Sequence, residues 1–294
     1  MFELLYKKLN MLKNSQGFRR YGANTSWLLG EKILRMVAGL FVGVWVARYL
    51  GPDEFGLFSY VQSFVGLFIA FATLGLDAIV IRELVKDESR GCELLGTAFF
   101  LKLFGALVVI AGLLITINFT SNEYQTNILV FIIASATFFQ AFNVIDFYFQ
   151  SKVLSRYVVS ANIITLLLSS FVKVTLILVK APLIYFAWSV LFDSAILALG
   201  LIYYFVKYSN IKLSGFRIRS NTASLLLKDS WPLVLSGIVI SIYMRVDQVM
   251  LKEMLGSEEV GQYAAAVRIS ELWYFIPMVV AGSVFPAIIN AKEK

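Results

Sequence analysis

The stretch LGPDEFGLF at residues 50–58 returns, with small changes, as LGSEEVGQY at residues 255–263. Leu, both glycines and one Glu coincide, Asp faces Glu, and Phe faces Tyr. A Leu-Gly-acid-acid run is also a common way to end one helix and start the next, because Gly51 and Gly256 suit a helix C-terminus and acids suit the following N-terminus. That simpler reading explains the composition of the phrase but not its position in the chain.

The composition indicates a chain whose solvent is a lipid bilayer. Hydrophobic residues make up 59% of the 294 residues and charged residues 15%, and the mean hydropathy is +0.77. Soluble domains carry about 25% charged residues, so a water-soluble core could not absorb this much apolar surface. The absence of His and the single Cys92 argue against a metal site and an internal disulfide. No P-loop, HExxH, paired CxxC or GxSxG motif occurs, so we predict no enzyme activity and no cofactor.

Eight apolar runs reach the length of about 20 residues that a spanning helix needs, so we predict an all-α, multi-pass membrane protein. Basic residues favour alternate connectors and both terminal segments, whereas the opposite connectors hold only Arg48, Lys180 and Lys252. This bias places both termini in the cytoplasm. It also explains the net charge of +7, because these basic residues set the orientation of the chain and face anionic lipid. The charge therefore does not indicate nucleic-acid binding. The predicted spans are 27–47, 56–81, 94–117, 127–149, 157–179, 183–206, 231–251 and 263–289.

The repeated phrase then joins spans 1 and 2 and, six spans later, spans 7 and 8 on the same outer side. This placement indicates a parallel repeat of two six-helix bundles, which suits a transporter that rocks one bundle against the other. We predict an N-terminal bundle at 1–206, a cytoplasmic connector at 207–228 and the start of a second bundle at 229–294. The sequence predicts only two of the six helices that this second bundle should have. We therefore expect a fragment, an inactive truncated remnant, or a chain whose cavity a second chain completes.

Three stretches carry a resemblance to a known family. The run NTSWLLGEKILRMVAGLFVGVWVARYLGPDEFGLFSYVQSF (24–64) resembles the start of the polysaccharide flippases, the Wzx-type O-antigen and repeat-unit transporters. GLDAIVIREL (75–84) resembles the end of their second span, and RVDQVMLKEMLGSEEVGQYAAAVRISE (245–271) resembles the start of their second bundle. The family belongs to the same superfamily as the multidrug and toxin extrusion antiporters, and its members usually have twelve to fourteen spans.

The resemblance implies a bacterial inner-membrane protein that moves an undecaprenyl-pyrophosphate-linked oligosaccharide unit to the outer leaflet, for O-antigen or other surface polysaccharide. Its implied partners are this lipid-linked glycan, membrane lipids and other polysaccharide assembly proteins. A cation-coupled antiporter of drugs or metabolites on the same architecture is the closest alternative. A glycan polymerase or ligase is a further alternative, but such enzymes need a large outer loop and every outer connector here is short.

Polar residues fall into stripes on four of the predicted spans. Such stripes are typical either of cavity walls or of hydrogen bonding between helices, and four of them together favour a shared polar cavity. The stripes are Ser59, Gln62, Gly66, Thr73 and Asp77 in span 2; Gln140, Asn143, Asp146 and Gln150 in span 4; Asn162, Thr165, Ser169 and Lys173 in span 5; and Ser241, Arg245, Gln248 and Lys252 in span 7.

Charged residues within the spans supply the candidate sites. Lys173 and Lys102 have no acid near them on their own helices, so each needs a neighbouring helix, a cavity or an anionic ligand, and Lys173 is the leading candidate for a pyrophosphate or sugar-acid contact. Asp247 lies off the Arg245 stripe and is expected to contact another helix. The spacings of Glu31 with Arg35 and of Arg268 with Glu271 also allow local ion pairs. The predicted cavity residues are Lys173, Lys102, Arg245, Arg35, Arg268, Gln62, Asn143 and Asn162, and the predicted ion-coupling residues are Asp77, Asp146 and Asp247.

Overall fold

The computed structural model describes residues 16–120, 123–209, 211–271 and 273, and within these ranges the chain forms helices and connectors without a strand. Most of the predicted span 263–289, residues 1–15 and the C-terminal Lys292 and Lys294 lie outside the described residues. Short 3₁₀ turns occur at Glu88–Arg90, Ala141–Asn143 and Leu213–Gly215. The α-helices are α1 (Gln16–Leu67), α2 (Ile69–Thr73), α3 (Leu76–Lys86), α4 (Gly91–Ile117), α5 (Tyr124–Gln140), α6 (Val144–Ser151), α7 (Arg156–Leu178), α8 (Leu183–Tyr208), α9 (Ser220–Leu255) and α10 (Ser257–Glu271).

Six stretches of the described chain are long and apolar enough to cross a bilayer, which confirms the prediction of an all-α, multi-pass membrane protein. The first of them, Ser26–Leu67, includes the predicted span 27–47 and the beginning of 56–81. Large apolar side chains point outward along these helices, as at Phe104 and Phe171, which are 63% and 70% exposed. Such side chains suit contact with lipid tails.

The predicted span 56–81 is not one continuous helix. α1 ends at Leu67, and Leu74 and Gly75 both adopt left-handed backbone conformations, with φ values of 53° and 58°. A Cβ on Gly75 would lie 2.7 Å from the Cβ of Leu233, so a glycine there also lets α9 pack closely. The predicted stripe from Ser59 to Asp77 is therefore wrong, because it assumed an unbroken helical phase. The 3₁₀ turn Ala141–Asn143 separates α5 from α6 within the span 4 stripe, although the flanking Gln140 and Val144 keep right-handed conformations.

The two copies of the repeated phrase share an unusual backbone conformation. Gly51 has φ 72° and ψ 174° inside α1, and Gly256 has φ 109° and ψ −178° at the end of α9. This region of conformational space is essentially restricted to glycine. The first glycine of each copy therefore bends the chain in the same manner at equivalent positions, 205 residues apart.

The second glycine of each copy brings the two copies into contact. A Cβ added to Gly56 would overlap the carbonyl oxygen of Ser257, and one added to Gly261 would overlap the carbonyl oxygen of Pro52. The shift of 205 residues that aligns the phrases converts Gly56 into Gly261 and Pro52 into Ser257. The contact is thus reciprocal, as at an interface with two-fold symmetry. It supports the interpretation of the repeat as a structural duplication.

Buried apolar side chains form two clusters at opposite ends of the bundle. The cluster near the Gly51 bend includes Tyr60 and Phe186, and the other, toward the connector between α8 and α9, includes Ile145 and Phe205. Because lipid tails are as apolar as these side chains, their burial within a bilayer stabilises the bundle mainly through packing contacts rather than through exclusion of water.

Polar contacts tie the connector between α8 and α9 to the first bundle. Glu93 on α4 accepts hydrogen bonds from Arg90 (2.9 Å), Arg219 (3.1 Å) and Thr222. Helix α9 begins at Ser220, inside the predicted connector 207–228, because these contacts and the helix-favouring run of leucines that follows extend it.

A second group of charges lies at the same end of the bundle, between α3 and α9. Arg82 pairs with Asp229 on α9 and with Glu83 at 2.9 Å, and Lys86 donates to Glu83 at 2.8 Å. The hydrogen bonds from Lys86 and Arg82 hold the pKa of Glu83 below its ordinary value. Glu83 therefore stays charged at neutral pH and keeps its pairs with Arg82 and Lys86 on the same helix.

We expect Gly261→Ala to destabilise the protein, because the added methyl group would lie 2.8 Å from the carbonyl carbon of Pro52 and overlap its oxygen. Overpacking of this kind costs about 1–3 kcal/mol. The measurement is the midpoint of thermal unfolding in detergent. Gly30→Ala is the matched control, because nothing lies within 4 Å of its added Cβ and Ala favours the helix by about 1 kcal/mol. Equal midpoints for the two variants would contradict the close contact.

Candidate substrate cavity

A cavity of about 730 Å³ lies between the first half of α1 and α10. Its lining on α1 runs from Lys32 to Phe55, and the part before the Gly51 bend, from Lys32 to Arg48, measures about 24 Å along the helix axis. Gly39, Gly43 and Ala47 recur every four residues on this face, so one side of α1 carries little side-chain volume. The cavity is therefore a groove along α1, and Pro52 and Gly261 of the glycine contact border it. We call it the basic groove.

The charge of the basic groove is predominantly positive. Its lining includes Lys32, Arg35, Arg48 and Arg268, with Glu271 as an acidic member. The Arg35 Nε donates to Glu31 at 2.8 Å, which confirms the i, i+4 pair expected from the sequence and offsets the charge of Arg35. The groove still carries an excess of positive charge and can attract an anion.

Arg268 is held in the groove by an aromatic ring and a glycine. Its guanidinium lies 4.8 Å from the centre of the Phe55 ring, a distance typical of a cation–π contact. A Cβ on Gly43 would come within 3.0 Å of its Nη1, so any larger residue would displace the guanidinium. Arg245 lies in a similar way over Gly66, where an added Cβ would be 3.6 Å from its side chain.

The pseudo-symmetry of the repeat breaks down at this arginine. The shift of 205 residues makes Ser63 equivalent to Arg268 and Gln248 equivalent to Gly43. The contact of Arg268 with Gly43 is therefore equivalent to the contact of Ser63 with Gln248. Ser63 donates a hydrogen bond of 2.9 Å to Gln248 inside the packed interface, whereas Arg268 faces the groove. One half of the duplicated contact thus stabilises packing, and the other supplies a cation to a cavity.

A second, smaller cavity of about 280 Å³ lies on another side of α1, against α7 and α8, and Arg35 lines both cavities. The whole predicted stripe of span 5 lines it: Asn162, Thr165, Ser169 and Lys173. We call it the polar pocket. Lys173 donates to Asp193 on α8 at 2.8 Å and to Ser169 at 2.7 Å. The charge that the sequence left without a partner is therefore neutralised by a neighbouring helix.

Lys102 and two of the predicted ion-coupling residues form a third group. Lys102 is almost fully buried on α4, lies 3.1 Å from Asp77 on α3, and is 4.5 Å from the centre of the Phe147 ring. Asp146 on α6 is near enough to interact electrostatically with both charges. These side chains come from three helices, which is why the sequence did not pair them. Their role in ion coupling stays a prediction.

The predicted site residues of α9 lie at contacts with other helices. Asp247 accepts a hydrogen bond from Tyr263 on α10, which confirms the expected contact with another helix. The α9 stripe faces the second half of α1, where Lys252 lies 5.2 Å from the centre of the Tyr60 ring. This stripe is thus a packing face rather than an open wall. Gln62 and Asn143 are half-buried and are not among the residues that line the cavities described above.

Several charged lining residues are absent from the predicted site, among them Lys32, Arg48, Asp193 and Glu271. The sequence placed Arg48 in an outer connector, whereas the structure places it on α1. The four-residue spacing of Gly39, Gly43 and Ala47, on the same helical face as Lys32 and Arg35, was a signal that could have found the groove.

The fold and its cavities define a multi-pass helical membrane protein in which two copies of one helix-joining phrase meet beside a basic groove. The chain belongs to the family described as "Polysaccharide biosynthesis protein", whose profile matches residues 21–292. This match confirms the family resemblance found in the sequence. Searches of curated proteins and of solved structures each gave no significant match.

We expect Asp77→Asn to destabilise the protein more than Lys102→Met. The Lys102 side chain is 5% exposed, so loss of Asp77 leaves a buried ammonium without its nearest carboxylate, at a cost of roughly 1–3 kcal/mol. Loss of Lys102 leaves Asp77, 59% exposed, which water can solvate. Thermal unfolding of both variants in detergent measures the difference. If Lys102→Met were the more destabilising variant, the burial of Lys102 would not be what determines the cost of breaking the pair.

Proposed function

We propose that the protein is a flippase that moves an undecaprenyl-pyrophosphate-linked oligosaccharide unit from the cytoplasmic to the outer leaflet, by alternating access and without covalent chemistry. Membership of the polysaccharide biosynthesis family and the multi-pass helical fold support this proposal. The supporting physical argument is that a sugar and a pyrophosphate are too polar to cross hydrocarbon unaided. A polar path through the protein replaces water for the headgroup while the lipid tail stays in the bilayer.

The observation that carries the proposal is the excess positive charge of the basic groove. Pyrophosphate is an anion, and an arginine fork suits phosphate oxygens through charge-assisted hydrogen bonds. Arg268 is the best placed of the basic residues, because Phe55 and Gly43 fix its guanidinium against the groove. The part of the groove before the Gly51 bend is about 24 Å long on α1, close to the thickness of about 30 Å of a bilayer core. A headgroup could therefore be sheltered through most of its path.

The proposed location is the bacterial inner membrane, with both termini in the cytoplasm. The bias of basic residues toward alternate connectors supports this orientation. In that orientation the contact between Gly56 and Gly261 closes the outer end of the basic groove, and the ion pairs around Glu93 lie at the cytoplasmic surface. The described conformation then corresponds to a state closed toward the outside.

Disruption of the gene distinguishes a flippase from a drug or metabolite antiporter. Loss of a flippase strands the lipid-linked unit on the cytoplasmic side and removes surface glycan. Loss of an antiporter changes drug sensitivity and leaves surface glycan unchanged. An unaltered phenotype in both respects is the outcome expected of an inactive remnant.

We expect Arg268→Gln to lower the rate at which surface glycan appears by about 10- to 100-fold, since a hydrogen bond to a charged group contributes about 1.5–3 kcal/mol. The rate is measured after induction of the variant in cells that lack the native gene, at equal protein level. Arg156→Gln is the matched control, because Arg156 is exposed at the start of α7 and lies outside the groove. Equal rates for the two variants would contradict the role of the groove.

A further inference from the structure

We infer that the polar pocket between α1, α7 and α8 binds an uncharged sugar ring. The inference rests on the proposed function, because it assigns the first sugar of the substrate to this pocket while the basic groove takes the pyrophosphate. The sequence had pointed to Lys173 as an anion contact, and the structure changes the class of ligand that this part of the protein suits.

The charges that face the polar pocket cancel. Lys173 lies 2.8 Å from Asp193, and Arg35 pairs with Glu31. An anion in the pocket would meet the carboxylate of Asp193 as well as the ammonium of Lys173, so it gains little electrostatic attraction. The basic groove has a positive excess instead. The two cavities therefore differ in the ligand chemistry that they favour, and the neutral one suits a sugar.

The hydrogen-bonding groups of the pocket match sugar hydroxyls. Thr165 donates to the carbonyl of Ala161 at 2.9 Å, and Ser194 donates to that of Val190 at 3.3 Å. Each hydroxyl has used its proton and keeps lone pairs that can accept a proton from a ligand. Asp193 accepts from Lys173 through Oδ2, whereas its Oδ1 is buried and has no hydrogen-bond partner within the described residues. A sugar ring supplies several hydroxyl donors for such acceptors.

These hydroxyls do not serve as links between helices, the usual alternative role of Ser and Thr in membrane proteins. Thr165 and Ser194 each bond to the backbone of their own helix, four residues earlier. The described bond that crosses from α7 to α8 in this pocket is the one between Lys173 and Asp193. The polar lining thus adds little to helix association, and its remaining lone pairs are available to a ligand.

The size and position of the pocket fit one sugar ring next to a pyrophosphate. Its volume of about 280 Å³ is near the lower end of the range of about 300–1,000 Å³ for small-molecule pockets. It therefore holds a single ring rather than a whole repeat unit. The first sugar of a lipid-linked glycan is bonded directly to the pyrophosphate, so their sites must be neighbours. Arg35, which lines both cavities, meets that condition.

The test compares the binding of two probes to the purified full chain in lipid nanodiscs. One probe is the lipid-linked glycan extracted from the native cells, and the other is undecaprenyl pyrophosphate without sugar. The variant is Thr165→Val, which keeps the shape and removes the hydroxyl. Thr175→Val is its matched control, because Thr175 makes the same bond to the backbone four residues earlier on α7 but is exposed and lies outside the pocket.

The expected result is that the native chain binds the glycan-bearing lipid more tightly than the bare lipid. Thr165→Val then weakens binding of the glycan-bearing lipid about 3- to 10-fold, the effect of one neutral hydrogen bond, and leaves the bare lipid unaffected. Thr175→Val changes neither. Ser194→Ala provides an independent second variant with the same expected pattern, and equal unfolding midpoints exclude a folding defect.

Two results overturn the inference in distinguishable ways. If the native chain binds both lipids but Thr165→Val and Ser194→Ala behave like Thr175→Val, or weaken both probes equally, the sugar pocket is wrong and the proposed flippase function stands. If the native chain binds neither lipid, the proposed function fails, and the sugar pocket fails with it.

Discussion

The close contact of α1 with α10 at Gly56 and Gly261 is the constraint on which the rest of the structure depends. Within a bilayer, helices are not driven together by exclusion of water, so close backbone approach at small residues becomes a main source of association. Here the two backbones approach so closely that a methyl group on either glycine would overlap a carbonyl oxygen of the other helix. The contact closes one end of the basic groove and fixes the position of Arg268 relative to Phe55.

The second organising feature is the way in which the chain divides its charges. Buried or half-buried cations on α4 and α7 are matched by carboxylates from adjacent helices, at Asp77 and Asp193, which offsets the penalty of charges within hydrocarbon. The excess of basic over acidic residues lies instead in the lining of the basic groove along α1. This separation lets cavities of different polarity lie close together, with Arg35 between them.

The sequence predicted the helical membrane fold, the duplicated phrase and the α7 stripe, because each depends on local composition or on the phase of one unbroken helix. It did not predict the partners of Lys102 and Lys173, since pairs between helices depend on packing that no local spacing records. The stripe through Ser59 and Asp77 failed because two left-handed residues, Leu74 and Gly75, reset the helical phase. The sequence also predicted that the polar residues of α9 share one helical face, but in the structure these residues contact α1 rather than line a cavity.

The reciprocal contact has a consequence for how this protein can change through mutation. The atoms that would clash with a side chain at Gly56 or Gly261 belong to the backbones of Ser257 and Pro52. Because every residue carries the same carbonyl group, no exchange of amino acid at the facing position can make room. Compensating changes in a genetic suppressor screen must therefore arise elsewhere, at residues that shift a whole helix. Both glycines are therefore constrained by backbone atoms that no substitution at the facing positions can remove.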